Sequence, residues 1–112
     1  MFFLHEHPQS ARSWDYPSVE EIAGLEGVGK YTGDMCSFGM FQEKDGLVGL
    51  VQKPTTFMTN AREIGSILSE RCNGDHRHIH LLNGRAKRAQ VYPDEMCFRI
   101  IKGLIRQMQC LE

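Results

Sequence analysis

Two hydrophobic periods alternate along this chain. Residues 2–6, FFLHE, form a short apolar run of β-leaning side chains and predict a buried strand that closes at Glu6. Pro8 is expected to stop it, because proline cannot donate to a ladder. Residues 9–16 are polar and read as a loop carrying Trp14. Ser18 and Glu21 have capping-box spacing, so Ser18 is expected to cap the next helix while Glu21 reaches back to its amide. Val19, Ile22, Ala23 and Leu25 give that helix one apolar face, and Gly27 and Gly29 are expected to end it. Residues 28–32 predict a second strand. Residues 38–41 and 47–51 flank the turn-forming Glu43-Lys44-Asp45-Gly46 and predict a hairpin, which Lys53-Pro54 breaks. Residues 55–59, TTFMT, are again strand-like. Asn60 and Glu63 give a second capping signal, and Ile64, Ile67 and Leu68 stripe the helix beyond it.

Residues 72–80 alternate with period two: His76, His78 and His80 fall on one side, Arg77 and Ile79 on the other. Asn83-Gly84 reads as a turn, and residues 85–90 as a short helix. Pro93 and Asp94 open the most strongly patterned helix. In it Met96, Ile100, Leu104 and Met108, with Ile101 and Ile105, recur every three or four positions. Strands interleaved with helices, with a hairpin inserted late, predict an α/β layer structure.

The 112 residues suit one small domain, or part of a larger one. A formal charge of −1 excludes a global field that would recruit nucleic acid or an anionic membrane. Nucleic-acid contact would then need local patches: Arg85, Lys87 and Arg88, or Arg99, Lys102 and Arg106. Solvated helix faces account for the same residues. No apolar run approaches the ~20 residues of a membrane span, and Glu6 interrupts MFFL before a secretory h-region forms. Cys36, Cys72, Cys97 and Cys110 without such a signal point to an intracellular, reducing setting, with free thiols or metal ligands rather than disulfides.

Three stretches carry candidate chemistry. His5-Glu6-His7-Pro8 follows a strand, and in open α/β sheets ligands bind beyond the carboxyl ends of the strands. A carboxylate there can accept a hydrogen bond from a base edge, with flanking imidazoles tuning it. A strand-end glutamate paired with a lysine or arginine explains the same residues. Cys72-x3-His76-x-His78-x-His80 places a thiol and imidazoles where alternate residues share a side, and Cys36, after another strand, can add a second sulfur. This is a donor set for zinc. The competing reading is a polar surface ribbon with a buried thiol. Lys53-Pro54-Thr55, held by a rigid turn, is placed to touch a phosphate, or is a plain surface turn. The chain lacks a glycine-rich nucleotide loop: Gly24-x2-Gly27-x-Gly29 follows a helix rather than joining strand to helix. It also lacks a nucleophile elbow.

FFLHEHPQSARSW, DMCSFGM, GLVQKPTTFMTN and RCNGDHRHIHLLNGRAKRAQVYP, in that order before an amphipathic helix, together resemble a region of retrotransposon polyproteins from protists such as dinoflagellates. The resemblance spans essentially the whole chain. Within those polyproteins the region is similar to the second half of a DNA cytosine-5 methyltransferase-like domain. It implies one partial domain over residues 1–112, with a partial Rossmann-like sheet, a late β-hairpin and a C-terminal amphipathic helix. Glu6-His7-Pro8 resembles the family's Glu-Asn-Pro strand end, implying a catalytic, base-contacting Glu6 with His5 and His7 shaping the pocket. Cys36-Ser37-Phe38-Gly39 leading to Lys53-Pro54-Thr55 resembles the family's later substrate-side segment, implying that Lys53 and Thr55 meet the target pyrimidine. The family carries arginine where Lys53 stands, and lysine lacks its planar two-pronged contact.

The family's Pro-Cys nucleophile and its S-adenosylmethionine loop have no counterpart here. The resemblance therefore implies a missing N-terminal half and a chain inactive alone. The alternatives are a small zinc-bound DNA- or RNA-binding module, with Cys36, Cys72, His76 and His78 as ligands, and a structural or interaction domain without chemistry.

Overall fold

The computed structural model describes residues 1–44, 47–74, 76, 78 and 93–111. The first apolar run becomes β1, Leu4–Pro8, paired antiparallel with β5, Pro54–Thr59. On the other flank of β5 lies β2, Gly29–Asp34, also antiparallel. The sheet order is β1-β5-β2, so TTFMT supplies the central strand. β1 and β2 run in the same direction without pairing to each other. Phe41–Lys44 (β3) and Leu47–Leu50 (β4) form a hairpin as a separate two-stranded sheet, but its first strand starts where 38–41 was expected to end, and Glu43 and Lys44, expected in the turn, belong to it. Its expected turn tip, residues 45 and 46, lies outside the described residues, as do the expected Asn83-Gly84 turn and the helix over 85–90.

Cross-strand register sorts side chains onto two faces, because successive residues of a strand point oppositely. Leu4 and Glu6 share a face with Phe57, Thr55, Thr59 and Tyr31, whereas His5 and His7 share the other with Met58, Thr56, Lys30 and Thr32. Helix α2, Arg62–Leu68, covers the first face, and α3, Asp94–Gln109, packs against α2 from outside. The core lies between: Met35, Phe38, Met40, Val51, Phe57, Ala61, Ile64, Leu68 and Met96. The two helices meet at Gly103, where an added Cβ would stand 2.7 Å from the Ile64 Cα. Gly33 similarly lets β2 approach the end of α2, since a Cβ there would run into the Leu68 carbonyl oxygen.

The second face is closed by a 3-10 turn, Arg12–Asp15. Its Trp14 is buried, donates Nε1–H to the Pro8 oxygen at 2.9 Å and stands edge-on to His5. Lys30 Nζ lies 5.2 Å above the indole, within cation–π range.

Several local expectations need correction. Pro8 ends the first strand as expected, as its last residue opposite Thr55, but the strand does not close at Glu6, which lies mid-strand opposite Phe57. An edge strand tolerates proline because its outer amide has no ladder partner to lose. Helix α1, Pro17–Ala23, starts at Pro17, and no side chain caps it. Proline's fixed φ suits the first helical position and puts Ser18 inside the helix. Gly24, not Gly27 or Gly29, closes α1. Asn60 does not cap α2: its side chain bonds the Phe3 amide and the Met1 oxygen. Gln107 of α3 accepts from the Glu63 amide instead. Phe38 belongs to a buried 3-10 turn rather than the hairpin.

The apolar pattern of α3 also splits. Met96 and Gly103 are buried and Ile100 packs on the core, but Ile101, Leu104, Ile105 and Met108 are exposed. Among the described residues, no helix is long and apolar enough to cross a membrane.

Candidate metal centre

The carboxyl end of β2 runs directly into a 3-10 turn, Met35–Phe38, that carries Cys36. Backbone bonds pin the turn: Met35 N–H to the Gln52 oxygen at 2.6 Å, and Met40 N–H to the Met35 oxygen at 3.1 Å. After α2 the chain returns past the same strand end. The Asp34 amide donates to the Glu70 oxygen at 2.9 Å. Its carboxylate Oδ2 accepts from the Cys72 amide at 2.7 Å and from Arg71 Nε at 3.1 Å. One buried aspartate thus aligns both cysteine-bearing segments, standing two residues before Cys36 and bonding the backbone of Cys72.

Residue 78 is held by a β-bridge between His78 and Leu50 at the end of β4. The ring nitrogens and sulfurs then converge. Cys72 Sγ lies 3.5 Å from His76 Nε2 and 3.4 Å from His78 Nε2. His78 Nε2 is 3.3 Å from Cys36 Sγ and 2.9 Å from His76 Nε2. All four donor atoms lie within 4.8 Å of one another. Tetrahedral zinc with its usual bond lengths requires sulfur–nitrogen separations of about 3.6 Å and nitrogen–nitrogen separations of about 3.3 Å. The cluster needs shifts of only a few tenths of an ångström in these pairs to take the ion.

The electrostatics of the cluster would favour a cation. Burial, then the hydrogen bond and charge of Cys72 and the charge of Asp34, push the Cys36 thiol up to about 11 from its ordinary 9.0, while a Ser37 hydrogen bond opposes this. Without a positive charge this pocket disfavours the thiolate; a divalent cation reverses that balance. The Gly74 amide donates to Cys72 Sγ at 3.3 Å, so one sulfur also has a backbone donor.

The structure therefore brings Cys36, Cys72, His76 and His78 together. His80 lies outside the described residues. It does not assemble the other expected site. Glu6 occupies the helix-covered face of the sheet, while His5 and His7 stack on the opposite face with ring centroids 6.0 Å apart. His5 lines an apolar cavity of about 300 Å³ with Phe3, Val19, Ile22 and Met58, a lining that does not include Glu6. Alternation along the strand makes this separation unavoidable for consecutive residues. Thr55 is fully buried and donates its hydroxyl to the Lys53 oxygen at 3.0 Å, so it serves its own turn. Lys53 has φ 35 and precedes the end of β5 where Pro54 pairs with Asp34 and bonds Gln9. That position is nearer the Cys36 turn than mid-strand Glu6.

Asp34 is the residue of the candidate centre that sequence reading missed. The available signal was an acidic residue two positions before a cysteine at a strand end; its partner, the Cys72 amide, is 38 positions away. No protein-family model, curated protein or solved structure matches the chain.

Proposed function

We propose that this chain is a zinc-clasped module of a retroelement polyprotein, serving nucleic-acid binding. Cys36, Cys72, His76 and His78 hold one Zn²⁺. The observation that carries this reading is the convergence of two thiols and two imidazoles, from segments as much as 42 positions apart, within 4.8 Å. Two sulfurs and two nitrogens suit zinc, and four protein ligands leave no open position for substrate. The metal is then structural: it ties the loop after α2 to the turn after β2. Thiolate ligands fit a reducing, intracellular setting. Polypeptide prepared without added zinc should carry one equivalent by elemental analysis and lose it on Cys72→Ala. Metal-free wild type that folds fully and takes up no added zinc would overturn the reading.

A second reading is favoured by the exposed apolar stripe of α3 and by the edge position of β1. These suit a part of a methyltransferase-like, Rossmann-like domain that packs on a further layer, although the antiparallel pairing of β5 with both its neighbours weighs against the mostly parallel sheet of that fold. There Glu6 would face a DNA or RNA base, and the parent would bind S-adenosylmethionine. The separation of Glu6 from His5 and His7 weighs against their sharing one base pocket. Incubation with labelled S-adenosylmethionine and DNA should give no methyl transfer by this chain, and turnover would refute the fragment reading.

A further inference from the structure

We propose that the four-ligand centre is also a redox clasp, in which a peroxide oxidises Cys36 and Cys72 to a disulfide and the metal is released. The inference rests on the zinc reading and adds its regulation. Both sulfurs belong to one cluster whose donor atoms all lie within 4.8 Å, so a shift of a few ångströms takes them to the ~2.05 Å of an S–S bond. The two cysteines differ in access. Cys36 is 5% exposed in a pinned turn, whereas Cys72 is only half-buried, on a loop whose neighbouring Gly74 has φ 78. That asymmetry divides the roles.

The Cys72 thiolate attacks one peroxide oxygen. The O–O bond breaks, and a sulfenic acid and one hydroxide form. The Cys36 thiolate then attacks the Cys72 sulfur; the S–S bond forms as the second hydroxide leaves. The two sulfurs give up two electrons and the peroxide accepts them. Two donors of the tetrahedron are thereby removed, and two imidazoles remain. A dithiol reductant reverses the sequence and restores the site. Cys97 and Cys110 are exposed on or just beyond α3 and lie outside the cluster.

The test uses the full chain with Cys97→Ser and Cys110→Ser, loaded with zinc. Elemental analysis first establishes one zinc per chain. If it does not, the zinc reading fails, and this inference with it. Hydrogen peroxide is then added with a chromogenic chelator present. One zinc per chain should be released, the intact mass should fall by two hydrogen atoms, and a peptide linking Cys36 to Cys72 should appear. A dithiol with added zinc should restore the starting mass and metal content. Zinc retained under peroxide that fully oxidises a free thiol, or released with sulfinic acids and no such link, would overturn the redox role while leaving the zinc reading standing.

Discussion

Replacing Asp34 by asparagine separates alignment of the metal centre from ligation, because Asp34 is not a ligand. The residue is 1% exposed, and its Oδ2 accepts from the Cys72 amide at 2.7 Å. A hydrogen bond to a charged acceptor contributes about 1.5–3 kcal/mol, against about 1 kcal/mol for a neutral one. The Arg71 side chain is 51% exposed, so solvent screening holds its ion pair to no more than about 1 kcal/mol. Asparagine keeps the shape and one carbonyl oxygen, so the Cys72 bond survives in weakened form. Relief of the buried charge offsets part of this, although Oδ1 has no partner among the described residues and its replacement amide would inherit that position. The net loss of alignment is about 1–2 kcal/mol, or zinc binding weaker by roughly 5- to 30-fold, which overlaps the lower part of the roughly 10- to 100-fold losses typical when groups that orient metal ligands are removed. Competition against a chromogenic chelator at fixed neutral pH measures it, with the exposed Asp15→Asn as control. An affinity for Asp34→Asn within about twofold of wild type would refute the argument that Asp34 holds the Cys72 segment in place.

Other outcomes follow from the same geometry. Gly103→Val should lower the stability of the chain by about 1–3 kcal/mol in denaturant titration, because its Cβ would meet the Ile64 Cα at 2.7 Å and force α3 from α2; an unchanged midpoint would contradict that packing. The metal-free chain should lose stability as pH rises between 9.0 and about 11, since folded Cys36 keeps a proton that the unfolded chain has released. The loss is on the order of 1–2 kcal/mol, and thermal melts of zinc-loaded protein, whose thiolates are already formed, should not show it. Ile101→Glu with Ile105→Lys, at positions 56% and 53% exposed, should leave the melting temperature nearly unchanged. A large fall in stability would mean that these side chains are packed in the monomer.

The sequence was a good guide to elements and a partial guide to their use. TTFMT reads as a strand because its β-branched and aromatic residues tolerate burial on both faces, and it is the central strand. The last helix was equally legible from local pattern; the hairpin was legible as a hairpin, although its first strand lies at 41–44 rather than 38–41. Which of two apolar stripes on α3 would be buried was not. Gly103 decided it, by admitting α2 more closely than the larger side chains of the other stripe allow. The caps failed for a similar reason: Gln107, distant in sequence, satisfied the Glu63 amide.

At the candidate centre the sequence by itself determined the donor chemistry: a thiol, two imidazoles on alternate positions, and a second thiol after another strand. Only the tertiary structure decided that these four meet. The register of β2 on β5 sets where Asp34 lies, and Asp34 draws in the Cys72 amide from 38 positions away. Strand alternation, in contrast, drove Glu6 from its neighbouring histidines although all three are adjacent in sequence. Proximity along a chain fixes which side chains can share a face, but long-range pairing fixes which faces share a site.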